Sequence, residues 1–351
     1  MTAAFFKLTV SDIREEIGGD ATSVILTVPE EAYDQFQWQA GQHLPLRFMI
    51  DGQEHRRCYT ISNPPGENLR ITVKRTKGGV VSNYVADRLA VGDIVESQRP
   101  DGRFVLEPGP LKRRTHYFFG AGSGITPLYA MINAVLTDEP YSVAYLIYGN
   151  KSHKSIIFHE ELDALAAEYP ERFTVRHILS SPSMWTWFSP WRSGRVDAEA
   201  IAAAIDETPP VAQNVQYWIC GPGEMNKATR AALLAMDVPD NRIHLESFGG
   251  AGAIDTTVKG IAATASITLD RQEHTVQVAA DQTVLEAALA AGLRPDYSCQ
   301  SGVCGSCRAR LKKGKVHMRA QMALDDEEIA RGEILTCQSV AESDALTIEY
   351  P

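Results

Sequence analysis

Four of the six cysteines in this 351-residue chain are set in a pattern: Cys299, Cys304 and Cys307 with the spacing C-x4-C-x2-C, then Cys337 in Leu-Thr-Cys-Gln. Three thiolates on one tight loop and a fourth from a later segment form the ligand spacing of a [2Fe–2S] cluster. Gly302 and Gly305 leave room for backbone N–H groups to approach the sulfurs, where they stabilise negative charge and tune a potential. Rival chemistries fit less well. Arg308 rather than His follows Cys307, which removes the covalent haem motif, and no second C-x-x-C completes a four-cysteine zinc site. A disulfide pair is the remaining alternative. With a cluster, this stretch carries single electrons, and the rest of the chain must supply them.

Other stretches suit phosphate groups. Arg56-Arg57-Cys58-Tyr59-Thr60 precedes Lys77-Gly78-Gly79-Val80-Val81-Ser82, which opens a helix ending near Leu89. Gly-Gly before a helix start gathers free N–H groups and the helix dipole at one point; it also reads as a plain turn. Thr115 to Phe119 reads as a strand running into Gly120-Ala121-Gly122-Ser123-Gly124-Ile125-Thr126-Pro127 and a helix from Leu128 to Leu136. Strand, Gly-rich turn and helix make a dinucleotide cradle, or a tight connection, since the string is neither G-x-G-x-x-G nor a P-loop. Another strand ends in Cys220-Gly221-Pro222-Gly223-Glu224-Met225, where Cys220 is either a site thiol or a buried core residue.

The segments that must position these groups differ in pattern. Residues 1–108 carry short β-branched runs broken by turns, with Asp51-Gly52 as a hairpin turn, and predict a small antiparallel β-barrel. Residues 109–250 alternate strand and helix, which predicts an α/β domain on a parallel sheet. Residues 251–262 are rich in small residues and read as a flexible tether. Residues 263–351 predict an α+β domain with a hairpin over Ala265–Val278, a helix from Thr283 to Ala291 capped by Thr283 or Asp281, and a second hairpin from Arg308 to Val316. Six basic residues and no acid lie between Arg308 and Arg319, a solvated face or one that orients an acidic partner. Three of the five tryptophans fall at Trp185, Trp187 and Trp191, in a segment that reads as a lid or as a partner patch.

Composition narrows the function classes. A net charge of −10 argues against nucleic-acid binding, which needs a basic face. No run approaches a membrane span, and Met1 to Lys7 lacks the marks of a signal peptide, so the expectation is a cytoplasmic protein with no membrane partner.

Taken together, Arg57-x-Tyr59-Thr60 and Gly79-x-x-Ser82 resemble the R-x-Y-[S/T] and G-x-x-S flavin motifs of the ferredoxin–NADP reductase superfamily. Gly120 to Pro127 is similar to its G-x-G-x-G-I-T-P motif, and Cys220 to Met225 to its C-G-P-x-x-M motif. With the plant-type ferredoxin motif at the end, the chain resembles the reductase components of multicomponent oxygenases, such as those of phenylacetyl-CoA epoxidase and ketosteroid hydroxylase systems. The resemblance implies a β-grasp fold for residues 263–351 and FAD as the flavin. It puts Arg57 on the pyrophosphate, Tyr59 beside the isoalloxazine and Thr60 near flavin N5, with Cys58, Val73, Lys74, Gly79, Val80, Val81, Ser82 and Phe248 completing that site. For NADPH or NADH it implies Gly122, Ser123, Gly124 and Thr126 at the turn, and Gly149, Asn150, Ser180, Ser181 and Arg192 towards the adenosine. Cys220, with Gly221, Pro222 and Met225, would lie by the nicotinamide; Thr60 and Cys220 are the expected catalytic positions. Electrons would pass from NAD(P)H through FAD and the [2Fe–2S] cluster to a terminal oxygenase, or to another one-electron acceptor.

Overall fold

Partial alternation of apolar and polar residues rolls the N-terminal third into one curled antiparallel sheet. Its strands are β1 (Phe6–Glu15), β2 (Ala21–Thr27), β3 (His43–Ile50), β4 (Gln53–Thr60), β5 (Leu69–Lys74) and β6 (Ile94–Ser97), in the order β4-β3-β6-β1-β2-β5. A bridge between Ile61 and Ile71 joins the end of β4 to β5 and closes the ring. Leu8, Val24, Leu44, Leu46 and Ile61 fill its interior with no exposure. Asp51 and Gly52 both take positive φ (51° and 79°), the conformation of a two-residue hairpin turn, and connect β3 to β4. Helix α1 (Val80–Asp87) follows β5, with Gly79 at its N-cap.

This computed structural model describes residues 4–181, 192–248, 257–324 and 326–351. The three tryptophans Trp185, Trp187 and Trp191 and residues 251–256, the first half of the expected tether, lie outside the described residues.

The second sheet is parallel throughout: β7 (Arg114–Ala121), β8 (Val143–Asn150), β9 (Phe173–Leu179), β10 (Arg192–Ser193), β11 (Asn214–Gly221) and β12 (Ile243–Ser247), ordered β10-β9-β8-β7-β11-β12. β7 is buried on both faces, as a central parallel strand should be. Helix α2 (Ile125–Asp138) covers one face through Leu128, Met131 and Ile132. Helices α4 (Ala198–Glu207) and α5 (Gly223–Ala235) cover the other, while α3 (His159–Glu168) follows β8. Residues 6–55 and 59–248 form one contact unit, so the barrel and this α/β sheet pack as one body.

The C-terminal sheet is mixed. β13 (Ala263–Leu269), β14 (Gln272–Val278), β15 (Arg308–Lys313), β17 (Glu333–Leu335) and β19 (Ala345–Glu349) run in the order β14-β13-β19-β15-β17, beside a small pair formed by β16 (Val316–Met318) and β18 (Ser339–Ala341). β13 and β14 form the expected hairpin. Helix α6 (Val284–Ala290) starts at Thr283, whose hydroxyl accepts from Glu286 N at 3.2 Å while the Glu286 carboxylate accepts from Thr283 N at 2.9 Å. A short α7 (Asp326–Ala330) precedes β17.

One expectation is corrected here. β15 and β16 do not form a hairpin: β15 pairs with β17 and β19, and β16 with β18, because Gly314 (φ 97°) turns the chain off the sheet. In the basic run, four of the six bases pair with acids. Arg308 pairs with Glu328 (2.6 Å), Arg310 with Glu333 (3.4 Å), Lys312 with Glu349 (2.8 Å) and Arg319 with Asp281 (3.7 Å).

Candidate functional site

In the barrel, the end of β4 delivers Arg57, Cys58, Tyr59 and Thr60 to the rim. Thr60 is buried and its Oγ1 has no hydrogen-bond partner, a cost that a bound group supplying one would remove. β5 ends at buried Val73 and exposed Lys74. Beyond it, Ser82 Oγ accepts from Thr76 N at 3.1 Å and donates to Gly79 O at 3.4 Å, tying the Gly78-Gly79 turn to α1. A Cβ at Gly79 would stand 2.5 Å from that hydroxyl, and Gly78 has φ 73°, so both positions hold glycine for steric reasons. The turn leaves the N–H groups of Val80, Val81 and Ser82 at the start of α1, where the helix dipole favours anions. The unpartnered Thr60 hydroxyl and this N-terminus, both in the barrel, have the chemistry to take a flavin with its pyrophosphate.

In the parallel sheet, the candidate nucleotide residues gather at the C-terminal ends of the strands, the binding edge of such sheets. β7 runs into Gly122 (φ 54°), Ser123 and Gly124; Thr126 Oγ1 donates to Ser123 O (3.0 Å) and Tyr148 OH to Gly122 O (2.9 Å). Gly124 has no room for a side chain, since a Cβ would collide with the Cys220 carbonyl. Gly149 and buried Asn150 end β8, and a methyl at Gly149 would press on Val196. Ser180 and Ser181 are exposed just past β9, their N–H groups bonded to Asn150 O and Lys151 O. Arg192 lies on β10 opposite Ile178, and its guanidinium is already held by Glu207, which also reaches Arg176 at 3.6 Å. Cys220 is fully buried, and burial pushes its thiol up. Gly221 sits under the Met225 side chain, and Pro222 caps α5. Phe248 is half-buried and packs against the core that includes Cys220.

Sequence reasoning passed over one acid here. Glu246, on β12, stands in register with Cys220 on β11. Although the residue is half-buried overall, its Oε2 is withdrawn from solvent without a partner, and burial pushes the carboxyl up to about 7 against a small opposing pull from His43. The signal was present: an acid at the position of an edge strand that pairs directly with the cysteine. Its titration has a sign. Between pH 4.5 and about 7 the folded form keeps a proton that the unfolded chain has lost, so stability falls as pH rises through that window and is level above it. Glu246→Gln is expected to remove this slope and raise stability above pH 7 by at most about 3 kcal/mol. Apparent melting temperatures of the flavin-free protein across this range check it; an unchanged slope refutes the assignment.

In the C-terminal domain, the loop from Cys299 to Cys307 is shaped by positive φ at Gln300 (54°), Gly302 (75°) and Gly305 (74°). A Cβ on Gly302 would stand 2.7 Å from Ala320 O. Backbone amides point at sulfur: Cys299 N to Cys304 Sγ, and Ser301 N and Cys304 N to Cys299 Sγ, each at 3.4 Å. Cys337 is brought up by a clamp, because Thr336 donates twice to Cys307 O (N 3.2 Å, Oγ1 2.9 Å) and Gln338 Nε2 donates to Gln300 O at 2.8 Å. The thiols act on one another: Cys304 on Cys299, Cys307 on Cys337, and Cys299 on both Cys307 and Cys337, while Cys304 also feels the Cys58 thiol. Among the described residues no three His, Cys, Asp or Glu side chains converge as ligands of a single ion. Four mutually interacting thiols, lined by backbone amides, suit a cluster of two irons. Cys299, Cys307 and Cys337 are buried, and Cys304 is half-exposed.

Comparison with known proteins agrees with this division of labour. An oxidoreductase FAD-binding domain matches residues 7–106, an oxidoreductase NAD-binding domain residues 118–231, and a 2Fe-2S iron-sulfur cluster binding domain residues 267–342. The chain is 33% identical to one of the subunits of 1,2-phenylacetyl-CoA epoxidase from Escherichia coli (strain K12), over 99% of this chain and 98% of that protein. It is 36% identical to the ferredoxin reductase component of 3-ketosteroid-9-alpha-monooxygenase from Rhodococcus rhodochrous, over 98% of this chain and 96% of that protein. In fold it resembles phthalate dioxygenase reductase, with a TM-score of 0.68 at 24% identity over 99% of this chain and 98% of that one.

Proposed function

The chain belongs to the family of FAD-, NAD- and 2Fe-2S-binding reductase components typified by these relatives, and from that membership we propose that its electron acceptor is the terminal oxygenase of a multicomponent system. The observation that carries the reading is the set of four thiols gathered on an amide-lined loop and its clamp, on a chain that also holds a nucleotide edge and a flavin rim. When bound, FAD supplies a two-electron acceptor for hydride and the cluster a one-electron carrier.

The chain's own groups do the positioning. Arg57 and the start of α1 would hold the flavin pyrophosphate, Tyr59 and Phe248 would pack against the ring, and the buried, unpartnered Thr60 hydroxyl would offer it a hydrogen bond. Gly122 to Gly124 admit the coenzyme pyrophosphate, and Cys220 and Gly221 set the depth of the nicotinamide and keep water from it. Ser180, Ser181 and Arg192 take the adenosine ribose. Because Glu207 already compensates Arg192, a 2′-phosphate binds there by displacing a carboxylate, and NADPH and NADH differ by that exchange. The thiolates of Cys299, Cys304, Cys307 and Cys337 would hold the two irons. Cysteine use supports a reducing cytoplasm, and among the described residues no helix is long and apolar enough to cross a membrane.

Protein purified without oxygen is expected to hold one FAD and two irons per chain, and NAD(P)H should bleach its flavin. Iron near zero, or FMN on extraction, overturns the assignment.

A further inference from the structure

A flavin held by the barrel and a nicotinamide held by the parallel sheet react only if the two are fixed within about 3–3.5 Å at the reacting atoms, and a displacement of about 1 Å costs about a hundredfold in rate. What holds the sheet against the barrel therefore bears on the chemistry. Glu161, in the first turn of α3, accepts on one oxygen from two barrel arginines, Arg14 Nη2 and Arg70 Nη1, each at 2.8 Å. Arg70 is nearly buried, and its guanidinium also lies over the Phe158 ring at 4.6 Å.

Behind these contacts the barrel wall carries a chain of hydroxyls. Arg70 Nε donates to Ser62 Oγ (3.1 Å), Ser62 meets Thr72 (3.0 Å), Thr72 meets Ser23 (2.8 Å), and Ser23 donates to Glu16 Oε1 (2.6 Å). Glu16 closes the circuit twice: it accepts from Arg14 at 3.2 Å, and its Oε2 accepts from the backbone N–H of Phe158 at 3.4 Å, the residue that caps α3 at φ 61°. The two arginines are the donors of the ring and the two carboxylates its acceptors, and the hydroxyls relay from Arg70 to Glu16 when the Ser62 hydroxyl turns to Thr72 rather than to the Arg70 carbonyl, 3.2 Å away. Next to it, Gly18 meets the Lys154 carbonyl so closely that no side chain fits between. The backbone contact is a fulcrum and the ring is the tie that sets the angle about it.

We propose that Glu161 is a positioning residue for hydride transfer, which through Arg14 and Arg70 fixes the nucleotide-binding sheet at its working distance from the flavin. The inference rests on the reductase reading above. Glu161→Gln keeps the size of the side chain and removes the charge that draws in both arginines.

At saturating NAD(P)H the limiting rate of anaerobic flavin bleaching should fall about tenfold in this variant, with the coenzyme dissociation constant and FAD content within about twofold of the parent. In flavin-free protein, hydrogen exchange at the Phe158 amide should quicken about tenfold, while the amides of β7 and β8 keep their rates. Glu161→Asp, which retains the charge, should recover part of both effects. Unchanged bleaching and exchange overturn the proposal, as does a rate that falls only in step with lost FAD. The exchange measurement needs no coenzyme, so a parent protein that NAD(P)H fails to bleach would defeat the reductase reading while the tie is still tested.

Discussion

Replacing Cys304 by serine is expected to lower electron delivery to cytochrome c by at least about a hundredfold while flavin bleaching by NAD(P)H stays within about twofold. Cys304 is the half-exposed one of the four cysteines, and its own amide donates to Cys299 Sγ, so the substitution removes a thiol with little disturbance of the loop. A serine hydroxyl ionises far less readily than a thiol and is a poor substitute for a soft sulfur ligand. The flavin and nucleotide motifs lie on the other two sheets, with their own cores, and have no reason to respond. Stopped-flow bleaching and steady-state cytochrome c reduction separate the two steps. Equal loss of both would mean that the steps are not separately housed, and the modular reading would fall.

Glu139→Ala is expected to cost about 3–5 kcal/mol, the scale for breaking a buried ion pair from one side. Glu139 has no exposed side-chain surface and sits just beyond α2, where it is bound by Arg114, His116 (3.3 Å) and Ser142 (2.7 Å). Burial alone would raise its carboxyl, but the hydrogen bonds from His116, Arg114 and Ser142 outweigh it and hold the group down to about 2. The stabilisation is therefore present above pH 4.5 and is lost as pH falls through about 2. His116 in turn accepts from Trp218 Nε1 at 3.1 Å, and Trp218 stacks on His244 at 4.1 Å, so removing the carboxylate unseats a chain of groups across β7, β11 and β12. At roughly 2–4 °C per kcal/mol for a body of this size, the first thermal transition should drop by about 10 °C. A loss under about 1 kcal/mol would refute the account.

What could be read in advance follows a physical line. The cysteine spacing, the glycine turns and the period of the strands are local, and each leaves the chain few alternatives. Gly124 is legible because a turn against another strand excludes a Cβ, and Thr283 because its capping partner is three residues away. Groups whose meaning depends on distant partners were not legible. Four bases of the run from Arg308 pair with acids elsewhere in the chain, Glu246 matters because β12 lies beside β11, and Glu161 because α3 meets β1 and β5. β4 also went unread as a strand, since His55-Arg56-Arg57 carries no apolar alternation; its pairing with β3 is imposed by the turn at Asp51-Gly52.

The position of β19 bears on how the molecule is made. Residues 345–349 lie in the middle of the C-terminal sheet, parallel to β13 and antiparallel to β15, and Tyr350 N donates to Thr268 O at 2.9 Å. During synthesis the β13–β14 hairpin is free to form early, and the barrel and the parallel sheet are complete well before it, since domains fold in order of emergence. The two halves of the last sheet cannot join until residue 349 has left the ribosome. Cys337 lies between β17, which pairs with β15 on one side of that join, and β18, which pairs with β16, so the fourth thiol reaches its place on a chain whose barrel and parallel sheet have already emerged.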